Sequence, residues 1–292
     1  RESYSNDENY YDIRFKIRAE KLALIIDNFI DYKVAGIFVA NTDWLQNNIR
    51  IWRYKTHKYE ADAPYGQDGR WRWMLYDTDM GFDFDNTGMY THNTMEWATT
   101  DQGEGRNAPE YTLLFRSLLD NEDFKNQFIN RFADAMNTNF RQENVLNKID
   151  EIQGKLEKEM AYNIQRWVNF GSMEEWHGHV DVMREFARQR PDYMRQFIME
   201  HFAIMKTVDF TVDLEDMDKG TVQINSIVID QDTIGLEGGR YWQGQYFTGI
   251  PIQVTAIPKK GYKFVGWEGR VEKTPTLNIE PWEDFTFKAI FE

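Results

Sequence analysis

Between Asn41 and Phe84 the sequence reads NTDWLQNNIRIWRYK, then a polar loop, then GRWRWMLYDTDMGFDF, and it places two groups of carboxylates and amides beside apolar runs. Asp43 is followed by Asn47 and Asn48, and Asp77 and Asp79 follow the hydrophobic segment Trp71 to Tyr76. Hard oxygen donors grouped in this way suit a shared hard cation. If Trp71 to Asp79 is extended, Asp77 and Asp79 leave the same face with Cα atoms roughly 7 Å apart. Acidic pairs are commonly solvent-facing, yet this pair follows a core-like strand, and strand ends are where sites collect. Asp43 has the simpler alternative of capping a turn at Trp44, and its company with Asn47 and Asn48 favours a functional role. Asp83 and Asp85 read as a solvated loop. His177 and His179, two apart on a helix, do not share a face and read as surface residues.

The elements that must position these groups follow from periodicity. Residues 13 to 40 predict one or two helices that deliver the chain to Asn41, with Ile13, Ile17, Leu24 and Phe29 to Phe38 apolar. Asn48 to Tyr54 and Arg70 to Tyr76 predict two strands joined by a polar loop, with Gln67-Asp68-Gly69 as its turn. Asp83 to Pro109 shows no period and reads as a long, substrate-facing loop. Beyond Pro109 the pattern is helical: Phe124, Phe128, Phe132, Met136 and Phe140 form one stripe, and Val145 through Trp167 form a second directed at the same core. Ser172 and Glu175 have capping-box spacing for the next helix, and Pro191 fits the first turn of a further one. From Phe210 the period becomes two, with Val222, Ile224, Ile252, Val254, Phe285 and Phe287 among the alternating positions. The fold class is therefore α+β, a mostly helical domain over 1–206 with a small hairpin at the site, followed by a small all-β module over 207–292 of sandwich or β-grasp type. Trp242, Tyr246, Phe247, Trp267 and Trp282 read as the packing of that module rather than a carbohydrate platform.

Composition excludes several functions. The chain of 292 residues carries a formal net charge of −14. Residues 207–292 hold 8 Lys and Arg against 14 Asp and Glu, giving 8 − 14 = −6, so the remainder carries −8. With both parts acidic and no basic cluster, no nucleic-acid partner is expected. The absence of cysteine removes disulfides, thiolate metal sites and thiol nucleophiles. No apolar run reaches transmembrane length, and RESYSNDENYYD resembles neither a signal peptide nor a natural start, so the chain reads as part of a longer protein.

The segments NTDWLQNN, RWRWMLYDTDMGF, LLFRSLLDNEDFKNQFINRFADAMN and RQRPDYMRQFI together resemble the CotH-type kinase family, the spore-coat protein H group, across roughly residues 10 to 203. The tail, with KGYKFVGWEG and FKAIFE, is similar to β repeats of bacterial surface proteins. The resemblance implies an atypical protein-kinase-like fold, of which this chain is the C-terminal lobe, and ATP- and Mg²⁺-dependent phosphoryl transfer to protein Ser or Thr hydroxyls. It implies Asp43, in the catalytic segment, as the base, Asn47 and Asn48 as cofactor-binding residues, and Asp77 and Asp79 as metal ligands. One point of spacing agrees, because Asn48 follows Asp43 by five residues as the catalytic-loop Asn follows its Asp in protein kinases. The preceding Asn41 and Thr42 do not match the usual kinase wording. The nucleotide-gripping half should precede Asn41, so the polypeptide alone is expected to be inactive, and the lone Gly103 to Gly105 motif does not replace that half. An extracytoplasmic setting follows, secreted or at the cell surface, lipoproteins included, with a surface partner for the β module. Two other readings compete: a non-enzymatic coat or adhesion scaffold, and a carbohydrate hydrolase. The hydrolase ranks lower, because glycosidases need two carboxyls facing each other across a bond.

Overall fold

The computed structural model describes residues 25–167, 171–215 and 217–292, so the helix expected from residue 13 lies outside the described residues as far as Leu24. The chain divides into two compact units, one drawn from residues up to 128 and from 161–197, the other from 129–160 and 198–292.

In the first unit, helix α1 (Ile26–Phe38) buries Phe29, Ile30, Val34, Ile37 and Phe38. Strands β1 (Arg50–Trp52) and β2 (Arg72–Met74) form the expected antiparallel hairpin, with Ile51 opposite Trp73. Trp73 packs edge-on against Phe29, ring centroids 4.8 Å apart. The Asn28 side chain meets the outer edge of β2 as a neighbouring strand would. Its Oδ1 accepts from Trp73 N–H at 2.6 Å and its Nδ2 donates to Trp73 C=O at 3.2 Å. The loop between the strands is stapled by the buried Asp68, which pairs with Arg70 at 2.7 Å and Arg72 at 3.0 Å. Those partners hold its carboxyl below the usual range despite the opposing effect of burial.

The stretch expected to be a long irregular loop has more order than its sequence suggests. It contains a 3₁₀ turn over Met89–Thr91, helix α2 (Thr94–Thr99) capped by the Asn93 side chain, and a second 3₁₀ turn over Gly105–Asn107. Met95 and Ala98 are fully buried. A single turn and a half of helix is too short to show a period, which is why the sequence hides it. Helix α3 (Pro109–Leu119) follows, with Pro109 in its first turn.

Helices α4 (Glu122–Asn137), α5 (Gln142–Trp167) and α6 (Met173–Phe202) match the helical pattern with two corrections. The α4 stripe is buried at Phe124, Phe128, Phe132 and Met136, but α5 buries only Val145 and Ile149, leaving Ile152, Leu156 and Trp167 exposed. Pro191 does not begin a new helix; it lies inside α6. Its missing N–H removes one internal hydrogen bond. The neighbouring Arg190, fully buried, makes up for that loss in tertiary contacts. Its guanidinium donates to the carbonyls of Ile37, Phe38, Tyr90 and His92 at 2.7–2.9 Å and to Thr94 Oγ1 at 3.0 Å.

The second unit holds two sheets in the orders β10-β8-β4-β5 and β6-β7-β3-β11-β9. They comprise β3 (Thr207–Asp213), β4 (Gly220–Ile224), β5 (Ile227–Ile229), β6 (Leu236–Glu237), β7 (Tyr241–Phe247), β8 (Ile252–Pro258), β9 (Phe264–Trp267), β10 (Thr276–Ile279) and β11 (Phe285–Phe291). All pairings are antiparallel except β3 with β11. The alternation expected of these strands holds, with Phe210, Val212, Val222, Ile224, Ile252, Val254 and Phe287 all buried. Of the five aromatics assigned to packing, Trp242, Tyr246, Phe247 and Trp267 are buried and Trp282 is exposed. The unit also includes the end of α4, whose Asp134 is buried and accepts from Ser226 N–H at 3.0 Å and from Tyr246 O–H at 2.9 Å. Asn137 pairs through its amide with both backbone groups of Gln245, each at 2.9 Å.

Replacing Arg190 with Ala removes a hydrogen-bond donor from the carbonyls of Ile37, Phe38, Tyr90 and His92. We expect a loss of about 3 to 4 kcal/mol by urea denaturation, with Lys failing to restore it because one ammonium cannot span the same acceptors. Asp134→Ala is expected to destabilise the protein by about 2 to 3 kcal/mol. Burial raises the Asp134 carboxyl, outweighing the hydrogen bonds that lower it. The fold therefore holds that proton more tightly than the unfolded chain, and Asp134's contribution declines as pH rises above about 4, so the gap between wild type and variant narrows.

Candidate functional site

The loop carrying Asp43 leaves the C-terminal end of α1, and the segment carrying Asp77 and Asp79, which follows β2, is tied to the same end. Asn41 Oδ1 accepts from Asp43 N–H at 2.8 Å, turning the chain sharply after the helix. Trp44 then folds its indole over Gly36, where a Cβ would stand 2.9 Å from the ring, so no larger residue fits at that position. The acidic segment is tied to the same helix end, since Phe82 N–H donates to Val39 C=O at 2.9 Å.

Asp43 is held on both carboxylate oxygens. Asn47 Nδ2 donates to Oδ1 at 3.3 Å, Asn48 Nδ2 donates to Oδ2 at 2.9 Å and to the Asp43 carbonyl at 3.1 Å, and Arg106 meets Oδ1 at 2.8 Å. The spacing of five between Asp43 and Asn48 thus corresponds to a direct contact. Both amides, read from the sequence as cofactor-binding, spend their N–H donors on Asp43. Among the described residues Asn48 Oδ1 accepts no hydrogen bond, and it remains a hard donor for a cation.

Asp77 and Asp79 are not carried on an extended strand. β2 ends at Met74, and Asp77 has φ 53°, in the left-handed region that a side chain other than glycine's adopts at some cost. The bend brings the two carboxyls within hydrogen-bonding reach of each other, where an extended chain would have held them about two residues' rise apart. Desolvation, the Asp79 charge and hydrogen bond, and the Asp43 charge all raise the Asp77 carboxyl, and Arg50 opposes them. Asp43, Asp77 and Asp79 therefore share one field. Among the described residues no three carboxylate or imidazole side chains are arranged to hold a metal ion by themselves. A site for Mg²⁺ does not require three, because water and phosphate oxygens complete its shell.

Asp83 departs from the solvated role expected of it. It is buried and accepts from the N–H groups of Thr87, Met89 and Gly88 at 2.9, 3.0 and 3.1 Å, shaping the turn that leads to the 3₁₀ segment. His177 is half-buried against Trp176, and His179 is exposed.

Two residues at the site have no signature in the sequence. Arg106 lies beside the Gly103 to Gly105 motif, 63 positions from Asp43, and only the tertiary fold joins them. Lys33 is a buried lysine on the α1 face behind Trp44. Its Nζ is surrounded by rings, with Trp44, Phe115, Phe29 and Tyr32 centroids at 4.6, 5.2, 5.4 and 5.9 Å. Burial lowers its pKa to about 7 and raises that of Tyr32 to about 12. Tyr32 Oη and Trp44 Nε1 are themselves buried without partners among the described residues.

The fold and the site together define an α+β protein whose acidic and amide groups sit on loops at one helix end, joined to an all-β module. The chain belongs to the CotH kinase family: residues 21–194 match the family model described as CotH kinase protein. Residues 233–290 match the model described as divergent InlB B-repeat domain, in agreement with the surface-repeat resemblance of the tail. No curated protein and no solved structure gives a significant match. Among the described residues no helix is long and apolar enough to cross a membrane.

The lowered pKa of Lys33 predicts an unusual pH dependence. Between about 7 and the ordinary 10.5 the unfolded chain binds a proton that the fold does not, so stability rises with pH across that window. Lys33→Met keeps the volume and removes the charge. We expect its thermal midpoint at pH 7 to exceed that of wild type, by about 1 kcal/mol or more in stability, and the rise above pH 7 to flatten.

Proposed function

We propose that this chain supplies the acidic site of a phosphotransferase that moves the γ-phosphoryl group of ATP to a Ser or Thr hydroxyl of a protein. Support comes from one arrangement above all: Asp43 anchored by the Asn five residues later, in the same field as an Asp77–Asp79 pair. A bound Mg²⁺ would bridge and neutralise phosphate oxygens. Asp77 and Asp79 are the residues that would hold it, and crowding of like charge at Asp77 is what a divalent cation relieves. Asn48 Oδ1 is a third donor attached to the same network.

Asp43 is assigned the acceptor hydroxyl. As the new O–P bond forms and the bond to the leaving diphosphate breaks, the hydroxyl proton passes to an Asp43 oxygen. Asn47, Asn48 and Arg106 fix the orientation of that carboxylate, so none of its geometry has to be found during the reaction. The coupling of a CotH kinase domain to a B-repeat domain is compatible with a surface or coat setting, and we place the activity there.

One observation favours a second reading, a binding scaffold without chemistry. Every oxygen of Asp43 already has a donor, as suits a loop whose only task is to keep its shape. Calorimetry separates the two. ATP is expected to bind this chain in the presence of Mg²⁺ and to lose that dependence when Asp77 and Asp79 are both changed to Asn. Asp43→Asn should retain nucleotide binding, and in a form of the protein that also carries a nucleotide-gripping half it should lower phosphotransfer roughly 10²- to 10⁴-fold. Absence of Mg²⁺-dependent binding in the wild-type chain would leave the scaffold reading in place.

A further inference from the structure

Among the described residues the site hairpin offers one open strand edge, whose orientation its hydrogen bonds define. Trp73 directs both its N–H and C=O away from β1, to the Asn28 amide, and the Trp71 carbonyl likewise faces outward to Ile25 N–H at 3.2 Å. In an antiparallel pair the groups alternate inward and outward. Arg72 and Met74 therefore face β1, so their partners Trp52 and Arg50 face β2. Ile51, opposite Trp73, must then point its N–H and C=O to the other side. No strand lies there among the described residues. Among the described residues the outer edge of β2 is closed by Asn28 and that of β1 is open.

The chemistry around the edge is distinctive. Every residue from Ile49 to Lys55 is exposed, which is unusual for a strand with Ile, Trp and Tyr in it. Ile51 is 47% and Tyr54 53% exposed, and across the hairpin Leu75 is 57% exposed. Between these apolar groups stand cations. Arg50 stacks on Tyr76 at 3.7 Å and Arg53 on Trp71 at 4.9 Å, while Lys55 and Lys58 are exposed. Residues 49–76 carry six Lys and Arg against three Asp and Glu, a net +3 within a chain of net −14. The expectation of no basic cluster holds for the chain as a whole and fails for this hairpin. Basic side chains on an edge also disfavour pairing with a second copy of itself, because like charges would meet across the ladder.

We propose that the β1 edge docks an extended, acidic polypeptide segment as an added strand. Ile51 would exchange main-chain hydrogen bonds with the segment, the exposed apolar groups would take its alternate side chains, and Arg50, Arg53 and Lys55 would pair with its carboxylates. Ile49 directly follows Asn48, and the Arg50 charge is felt at Asp77, so a segment on this edge lies beside the acidic site. That the docked segment carries the hydroxyl to be phosphorylated rests on the phosphotransferase reading; the docking does not.

The test uses the whole chain without nucleotide or Mg²⁺, so that its failure is independent of any failure of phosphotransfer. Two fluorescein-labelled probes are compared by anisotropy, a ten-residue peptide alternating Glu with Val or Thr and its Lys counterpart. The Glu peptide is expected to bind, to weaken at least tenfold between 50 and 300 mM salt, and to slow amide exchange at Ile51. Ile51→Pro removes the outward N–H and leaves the β1–β2 hydrogen bonds in place, an exchange that edge strands tolerate. It should weaken binding tenfold or more. Arg53→Glu, at an exposed position, should shift preference toward the Lys peptide, which guards against a folding defect in the proline variant. Equal binding of both peptides, indifference to Ile51→Pro, or wild-type self-association that Ile51→Pro abolishes would each overturn the proposal.

Discussion

The carbonyl groups at the end of α1 are the constraint from which the site is built. A helix terminus leaves its last carbonyls without internal partners, and inside a protein each must find a donor elsewhere. Here Arg190 takes those of Ile37 and Phe38, and Phe82 N–H takes that of Val39. The same guanidinium reaches Tyr90 and His92 in the segment that follows the acidic pair. Satisfying one helix end therefore fixes two loops, one leading to Asp43 and the other holding Asp77 to Asp83. Burial pulls Arg190 down to about 9, which still leaves it charged at neutral pH, and the cation at a helix C-terminus is favourably placed. The internal Pro191 fits this arrangement: the helix continues through it because its neighbour is anchored across the core.

Backbone strain is concentrated where this scaffold meets the site. Nine described residues other than glycine have positive φ, and seven of them fall between Ala40 and Asn86, including Asn48, Asp77, Phe82 and Asp83. Each such conformation costs about 1 kcal/mol or more, so it persists only where surrounding contacts dictate it. Those contacts are visible at Asp83, through three N–H groups, and at Asn48, through Asp43.

Much of the fold was legible because it repeats. The α4 stripe and the alternating strands of the second unit bury the residues that their periods select, and the hairpin pairs where its two runs place it while leaving β1 exposed. The Asp43–Asn48 contact was legible because a spacing of five lies within a single loop. What escaped detection has no period and no local spacing. Arg106 and Arg190 reach their partners across the fold, and α2 is too short to reveal itself. Asp77 and Asp79 were grouped correctly in sequence and given the wrong geometry, since a left-handed turn, not a strand, brings them together. Asp83 looked solvated because the donors that bury it are backbone groups, which a sequence does not display. Pro191 and the exposed half of α5 mark the opposite error, in which a local rule was followed although tertiary contacts, or their absence, decided the outcome.

The charge balance at the site gives the phosphotransferase reading a further consequence. Asp43, Asp77 and Asp79 contribute −3, and Arg106 on Asp43 with Arg50 near Asp77 contributes +2, leaving −1. Such a site repels a nucleotide triphosphate. On that reading a divalent cation would change the sum to +1, so that metal and nucleotide would enter as a complex. Arg106 contributes to that switch without closing it, because half of its side chain remains exposed while it holds Asp43. Two cations beside three carboxylates thus leave one negative charge uncompensated, the excess that on the phosphotransferase reading a divalent ion would reverse.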